Sequence, residues 1–557
     1  MHYLQSFSLP TRRQRLALML VLCGAGSVGL YALLTLRYSL EQHVLLPLAT
    51  LGTLSHYAPN SALFYAFSIL LLLAFYLCAY WTVRLSAQSS DGLSERSLQI
   101  IIVFPIVAML ILLHLYPLTS LASINQAIQA RVLTTHHANP YLVPAARFPD
   151  DPFTSYDDAQ NLPATAGPLW LLLSAIPALL AGNNLLALVL LEKMLPILFA
   201  LGCQRLVWVI ATRVAPHRRW QALLLFSWNP LLLLETAGNG HNDIALLFFV
   251  LLACYFLLVG PRSLVLPALA LALLMNMLAL ILLPFFLVAL WRSATQPRQT
   301  LFSLGVGSGL ALVLLLPLLL LFGGLSVVPV LFQPFTHYAT SLPAFLDGLL
   351  QPLYGTTAAD VLAKALAGGS FLVVAVALLE RFIRHTSPRR RYEQSFAEVF
   401  RTTLFEGIFW FFVLGAVSFT PWMTLWLMPF AALSTSSPWP WLRANTLALS
   451  SLLVPLILIF VLNAALTTGA LDDFTIQALA ILSLFVPVLL VCGLELFFYR
   501  KKLLSTLAAR EAELRRLHEQ LGLSSADASA ASSDLAQPAN IAHHLETGAE
   551  KPLEPGQ

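Results

Sequence analysis

Apolar runs recur along almost the whole chain, and a run of about 20 such residues has one common destination, the hydrocarbon core of a bilayer. They lie near 16–36, 62–83, 98–117, 168–182, 186–212, 220–236, 243–259, 264–291, 300–322, 359–382, 403–419, 422–436, 442–466 and 474–498. In lipid every backbone N–H and C=O must be satisfied within the segment, so these runs predict helices. Of the 557 residues, 58% are hydrophobic and 10% charged, against roughly 45–50% and 25% in soluble domains. An ordinary soluble fold is excluded. The expectation is an all-α polytopic membrane protein with about 12 to 14 transmembrane helices.

A formal net charge of +4 is too small to argue for nucleic acid as a partner, and the basic residues sit in short clusters between apolar runs. Those clusters report topology instead. Arg12, Arg13 and Arg15 precede a first run that is too long for a signal-peptide core and has no small-residue cleavage site behind it, which predicts an uncleaved anchor. Placing the basic loops 213–219, 381–391 and 500–502 in the cytosol puts both termini there as well. That topology requires run 168–182 to be a half-helix dipping in from outside. It also requires 264–291 to be a broken, re-entrant pair around Met275-Asn276-Met277. Loops 118–167 and 324–358 and the tip 237–242 then lie outside, as expected of a multi-pass protein of the plasma membrane.

The predicted organisation is a transmembrane domain over 1–500, a short cytosolic helix over 501–523 and a C-terminal tail over 524–557. The helix is read from the stripe Leu503, Leu507, Leu514, Leu517 and Leu521. The tail has too few apolar residues to order itself. All five cysteines, Cys23, Cys78, Cys203, Cys254 and Cys492, fall in apolar segments without paired spacing, so no disulfide framework is suggested. His136 and His137 are adjacent rather than i, i+4, and His241 has no second histidine at ligand spacing. Neither a metal nor another cofactor is implied.

Two places concentrate polar groups where they are costly. Between Trp228 and Asp243 the chain reads Trp-Asn-Pro-Leu-Leu-Leu-Leu-Glu-Thr-Ala-Gly-Asn-Gly-His-Asn-Asp. Glu235, Asn239, His241, Asn242 and Asp243 bring donors and acceptors to a bilayer boundary, where such groups usually mark function. Asp243 also opens a helical run, where an acid complements the dipole. Glu192 and Lys193 lie about two turns inside the run 186–212 and, as i and i+1 neighbours, do not face each other. At least one is expected to reach across the bundle, Lys193 to a phosphate or to an interhelical ion pair. Trp422 and Trp426, four residues apart, read as an interfacial belt on one helix face.

Further motifs flank this knot: Ala130-Arg131, Asn139-Pro140-Tyr141 and Phe148-Pro149-Asp150-Asp151-Pro152-Phe153, then Gly167-Pro168-Leu169-Trp170. With Trp228-Asn229-Pro230, Glu235 and Gly238 to Asp243, they resemble the multi-pass glycosyltransferases of the GT-C superfold. The likeness is to bacterial polyprenol-phosphate-mannose-dependent mannosyltransferase-like proteins in particular. It is densest over 118–245, with a later echo at Phe419-Thr420-Pro421-Trp422 and Trp426-Leu427-Met428-Pro429. It implies a GT-C-like bundle whose extracytoplasmic loops form a cleft, and transfer of a hexose, mannose above all, from a polyprenyl-phosphate sugar donor to a lipid or glycan acceptor of the cell envelope.

That reaction needs a carboxylate within hydrogen-bond reach of the incoming hydroxyl while the sugar departs through an oxocarbenium-like state. The superfold generally carries an acid at the start of the first outer loop. Here 119–125 reads Thr-Ser-Leu-Ala-Ser-Ile-Asn, without Asp or Glu. Asp243 and Asp151 are the expected catalytic acids. Arg131, Asn139, Tyr141, Lys193, Glu235, Asn239, His241 and Asn242 are expected to bind substrate, Lys193 or Arg131 at the phosphate. The rival reading is a transporter, or a degenerate relative that binds lipid-linked sugar without transferring it.

Overall fold

The computed structural model describes residues 11–88, 92–293, 296–333, 336–386, 395–434, 437–468 and 472–520. The predicted tail, Leu521 and part of the basic loop 381–391 lie outside them, as do the side chains of Leu514 and Leu517. The described residues are helical throughout, apart from loops and an isolated antiparallel bridge between Ser39 and Leu115. Two compact units are distinguished, residues 1–488 and 489–557.

Among the described residues, seven helices are long and apolar enough to cross a membrane. They are α1 (Arg12–Arg37), α2 (Pro59–Ala87), α3 (Glu95–Leu112), α6 (Leu185–Val214), α11 (Pro297–Leu321), α13 (Thr356–His385) and the apolar part, Phe474–Glu513, of α16 (Asp473–Gln520). Between them lie α4 (Ala122–Thr134), α5 (Pro168–Ala181), α7 (Arg219–Ser227), α8 (Asp243–Leu258), α9 (Val265–Met275), α10 (Leu283–Ser293), α12 (Leu342–Tyr354), α14 (Phe396–Trp410) and α15 (Trp439–Thr468). Start signals are local. Thr11 and Gln14 form a capping box on α1, Pro59 and Pro168 occupy first turns, and Asn184 caps α6. The residues described in the second unit continue α16, which runs unbroken to Gln520.

Several of the expected crossings are broken into shorter helices. Run 220–236 divides into α7, the turn Pro230–Leu233 and a π-helical turn Leu234–Gly238. Run 264–291 breaks where Asn276 is extended (φ −159°, ψ 128°) and its side chain accepts from the Leu278 N–H. Gly167 meets this break backbone to backbone, its N–H donating to Met275 O at 3.0 Å. A Cβ there would stand 2.2 Å from Leu274 O, so the approach requires glycine.

The residues of the first outer loop carry a core of their own. Leu121 and, on α4, Ile124, Ile128 and Val132 pack with Tyr141 and Phe153, with Leu185, Leu188 and Val189 of α6, and with Phe322, Val327 and Leu331 beyond α11. Trp170 of α5 donates to Gln126 Oε1 at 2.7 Å, tying the next helix to the same core.

Candidate functional site

The knot 228–243 begins with a bend. Asn229 caps the turn Pro230–Leu233 and donates to Asn445 Oδ1 of α15 at 2.9 Å. The π turn that follows, a geometry that recurs at functional sites, holds Glu235 wholly buried. Gly240, with φ of 78°, turns the chain toward α8; a Cβ on it would lie 2.8 Å from Ser123 Cβ and 3.1 Å from Lys193 Cγ. Only glycine fits there. The knot is thus pressed against the start of α4 and the side of α6.

Its hydrogen bonds run to the first outer loop. Asn239 Oδ1 accepts from the N–H groups of Leu118 (2.8 Å) and Thr119 (3.4 Å), while its Nδ2 donates to Glu235 Oε2 at 2.9 Å. The Thr119 hydroxyl donates to the same oxygen at 3.4 Å, and His241 Nε2 lies 3.3 Å from it. Glu235 therefore stands beside the acid-free stretch 119–125. The His241 ring stacks on Trp422, centroids 3.9 Å apart and planes 15° apart. Asp243 Oδ1 accepts from Trp426 Nε1 at 3.0 Å. Asn242 is half-buried, its side chain without a partner among the described residues.

This arrangement leaves polar atoms unmatched. Glu235 Oε1 and Ser123 Oγ are buried without a hydrogen-bond partner among the described residues, and His241 Nε2 has none beyond its 3.3 Å ion-pair contact with Glu235 Oε2. Buried polar atoms are nearly always paired, so such a gathering around one turn calls for a reason.

A second polar cluster closes on itself. Arg131 donates from Nε and Nη2 to Asp151 Oδ2 (3.2 and 3.0 Å), from Nη1 to Gly182 O and from Nη2 to Asn183 Oδ1. His136 Nε2 lies 2.9 Å from Asp151 Oδ2, and the Phe153 N–H donates to Oδ1 at 3.0 Å. Burial alone would raise the Asp151 pKa; the Phe153 amide, His136 and Arg131 together hold it below the ordinary range. The neighbouring Asp157 shows the reverse, pushed up to about 6 by burial, which the Ala159 amide only partly offsets.

Several expected placements change accordingly. Lys193, expected at a phosphate or in an ion pair, is fully buried and donates to Leu112 O (3.0 Å), Leu113 O (2.8 Å) and Leu115 O (2.5 Å). All three ammonium protons are used on the carbonyl end of α3. Its neighbour Glu192 accepts from the Ser174 hydroxyl of α5 at 2.7 Å. Arg131 and Asp151, expected at the phosphate and as an acid, are hydrogen-bonded to each other. Asn139 and Tyr141 tie backbone: Asn139 donates to Phe322 O, and the Tyr141 hydroxyl donates to Ala166 O at 2.5 Å. Trp422 and Trp426 form no interfacial belt. Their segment, Pro421–Leu427, is a 3₁₀ helix, so positions four apart diverge. One caps His241 and the other is buried on Asp243. Sequence reasoning missed that second contact, which spans 183 positions.

The fold defines an all-α polytopic membrane protein. Residues 16–292 match the sequence model of the alpha-(1->6)-mannopyranosyltransferase N-terminal domain, consistent with a mannosyltransferase-like protein. No curated protein and no solved structure matches it. Among the described residues no group of three or more His, Cys, Asp or Glu is arranged to hold a metal.

Proposed function

We propose that the protein transfers mannose from a polyprenyl-phosphate donor to a lipid or glycan acceptor on the extracytoplasmic face, the family name suggesting an α(1→6) linkage. One observation carries this reading: the unmatched polar atoms of Glu235 and Ser123, beside His241, offer a hydroxyl-rich ligand the hydrogen bonds that the protein lacks by itself.

In this scheme Glu235 takes the part that the sequence suggested for Asp151. An acceptor hydroxyl donates to Glu235 Oε1 and loses its proton there as its oxygen bonds to the sugar's anomeric carbon. The bond from that carbon to the phosphate oxygen breaks, and its electron pair leaves with the polyprenyl phosphate. Asp243, oriented by Trp426, steadies the positive charge that builds on the sugar. Asn239 and Thr119 hold Oε2 of Glu235, leaving Oε1 for the reaction. Since Lys193 and Arg131 are already engaged, the phosphate meets neutral donors, for which Asn242 and Ser123 are placed.

The test is transfer from radiolabelled polyprenyl-phosphate-mannose to membrane lipids by the intact protein and its Glu235→Gln, Asp243→Asn and Asp151→Asn variants. Loss in the first two, with folding retained, is the expected result. Loss in Asp151→Asn alone would reassign the acid. Donor binding without transfer by the wild type would leave a protein that holds lipid-linked sugar, and neither binding nor transfer would end the reading.

A further inference from the structure

The helix that begins at Asp243 ends at Leu258, 16 residues and about 24 Å away. At that far end a cavity of about 360 Å³ opens between the ends of three helices, a volume within the usual range for small-molecule sites. Leu257 and Leu258 of α8 and Phe396 of α14 give it an apolar wall. Arg262, just past α8, and Arg292, at the end of α10, line it as well.

The two arginines differ in how much they are already used. Arg292 donates from Nε to Thr386 Oγ1 (3.1 Å) and from Nη2 to Ile383 O (3.4 Å), capping the carbonyl end of α13. Its Nη1 has no acceptor among the described residues. Half-buried Arg262 has neither hydrogen bond nor ion pair among them. A snorkelling side chain accounts for one unpaired cation at a helix end. It does not account for a hollow of this size lined by two arginines and by apolar side chains, with no carboxylate among the described residues that line it. Guanidinium groups match phosphate oxygens in a planar, forked geometry. Basic pockets between membrane helices are where phosphorylated headgroups are recognised, while an apolar wall suits the glycerol and first acyl carbons below them.

We infer that the Arg262–Arg292 cavity binds the phosphate-bearing headgroup of an anionic membrane lipid, at the opposite end of α8 from the polar knot. This rests on the membrane setting and the cavity alone, and stands whether or not the knot transfers sugar.

The experiment uses the full chain in nanodiscs of phosphatidylcholine titrated with phosphatidylglycerol, with retained lipid counted by native mass spectrometry. The variants are Arg262→Gln, which removes the free charge, and Leu258→Trp, which fills the cavity and leaves both charges in place. One phosphatidylglycerol tightly retained by the wild type is expected, with affinity about fivefold lower in Arg262→Gln and the lipid lost from Leu258→Trp. Equal retention in wild type and Arg262→Gln overturns the proposal, even if Leu258→Trp fails to fold. Full displacement of the lipid by excess inorganic phosphate also overturns it, assigning the cavity to a soluble phosphate instead.

Discussion

The Arg131–Asp151 cluster and the Glu235–His241 knot are both buried, both charged and both packed against α4, yet one is complete and the other is not. Asp151 receives a guanidinium, an imidazole and a backbone amide, and Arg131 adds Gly182 O and Asn183. Glu235 has one oxygen held by Asn239 and Thr119 and the other held by nothing. A finished network rigidifies a loop. An unfinished one at the same depth carries a desolvation cost that a ligand can relieve.

The sharpest way to break this contrast is to remove one member of each cluster. Glu235→Gln keeps shape and volume, so transfer is expected to fall about 10²–10⁴-fold while thermal unfolding barely moves. Arg131→Ala strands a buried carboxylate and is expected to cost about 3–5 kcal/mol of stability, read as early thermal unfolding before any activity is measured. If the two phenotypes exchange places, the contrast is wrong.

A smaller effect tests the link across the bundle. Trp426→Phe removes the N–H donated to buried Asp243 and keeps most of the ring; about 1.5–3 kcal/mol is expected, with transfer reduced more than thermal stability if Asp243 acts on the sugar. An equal fall in both would mark the bond as packing alone.

The smallest effect uses pH within loop 118–167. Asp157 carries a folded pKa raised to about 6, so its contribution favours the fold below the ordinary carboxylate range and fades as pH rises through 6. Asp151, held low, contributes the opposite way, its stabilisation present near neutrality and lost as pH falls through its depressed folded value. Asp157→Asn should therefore raise the melting temperature by a few degrees at pH 8 and hardly at all at pH 3, below the ordinary carboxylate range. A uniform shift at both would assign the gain to something other than ionisation.

Much of this was legible in the residue order. Dense apolar runs could only be membrane helices, the polar string at 235–243 stood out against them, and Asn276 within an apolar run announced the break beside Gly167. What the order could not show was partnership at a distance. A linear reading could not name the partners of Arg131 and Lys193, because the oxygens that claim them come from a loop that folds back and from the end of α3. The Trp422 and Trp426 pair misled for a different reason: spacing of four implies one face only on an α-helix, and this segment is wound more tightly.

Lys193 has a consequence for how such a protein can vary. Because one ammonium gathers the last carbonyls of α3, the point where the chain leaves that helix is held by a side chain on α6 as well as by the bonds of the residues that follow. The segment beyond can be rewritten, shedding or gaining an acid, without moving its own anchor point relative to the turn that Glu235 occupies.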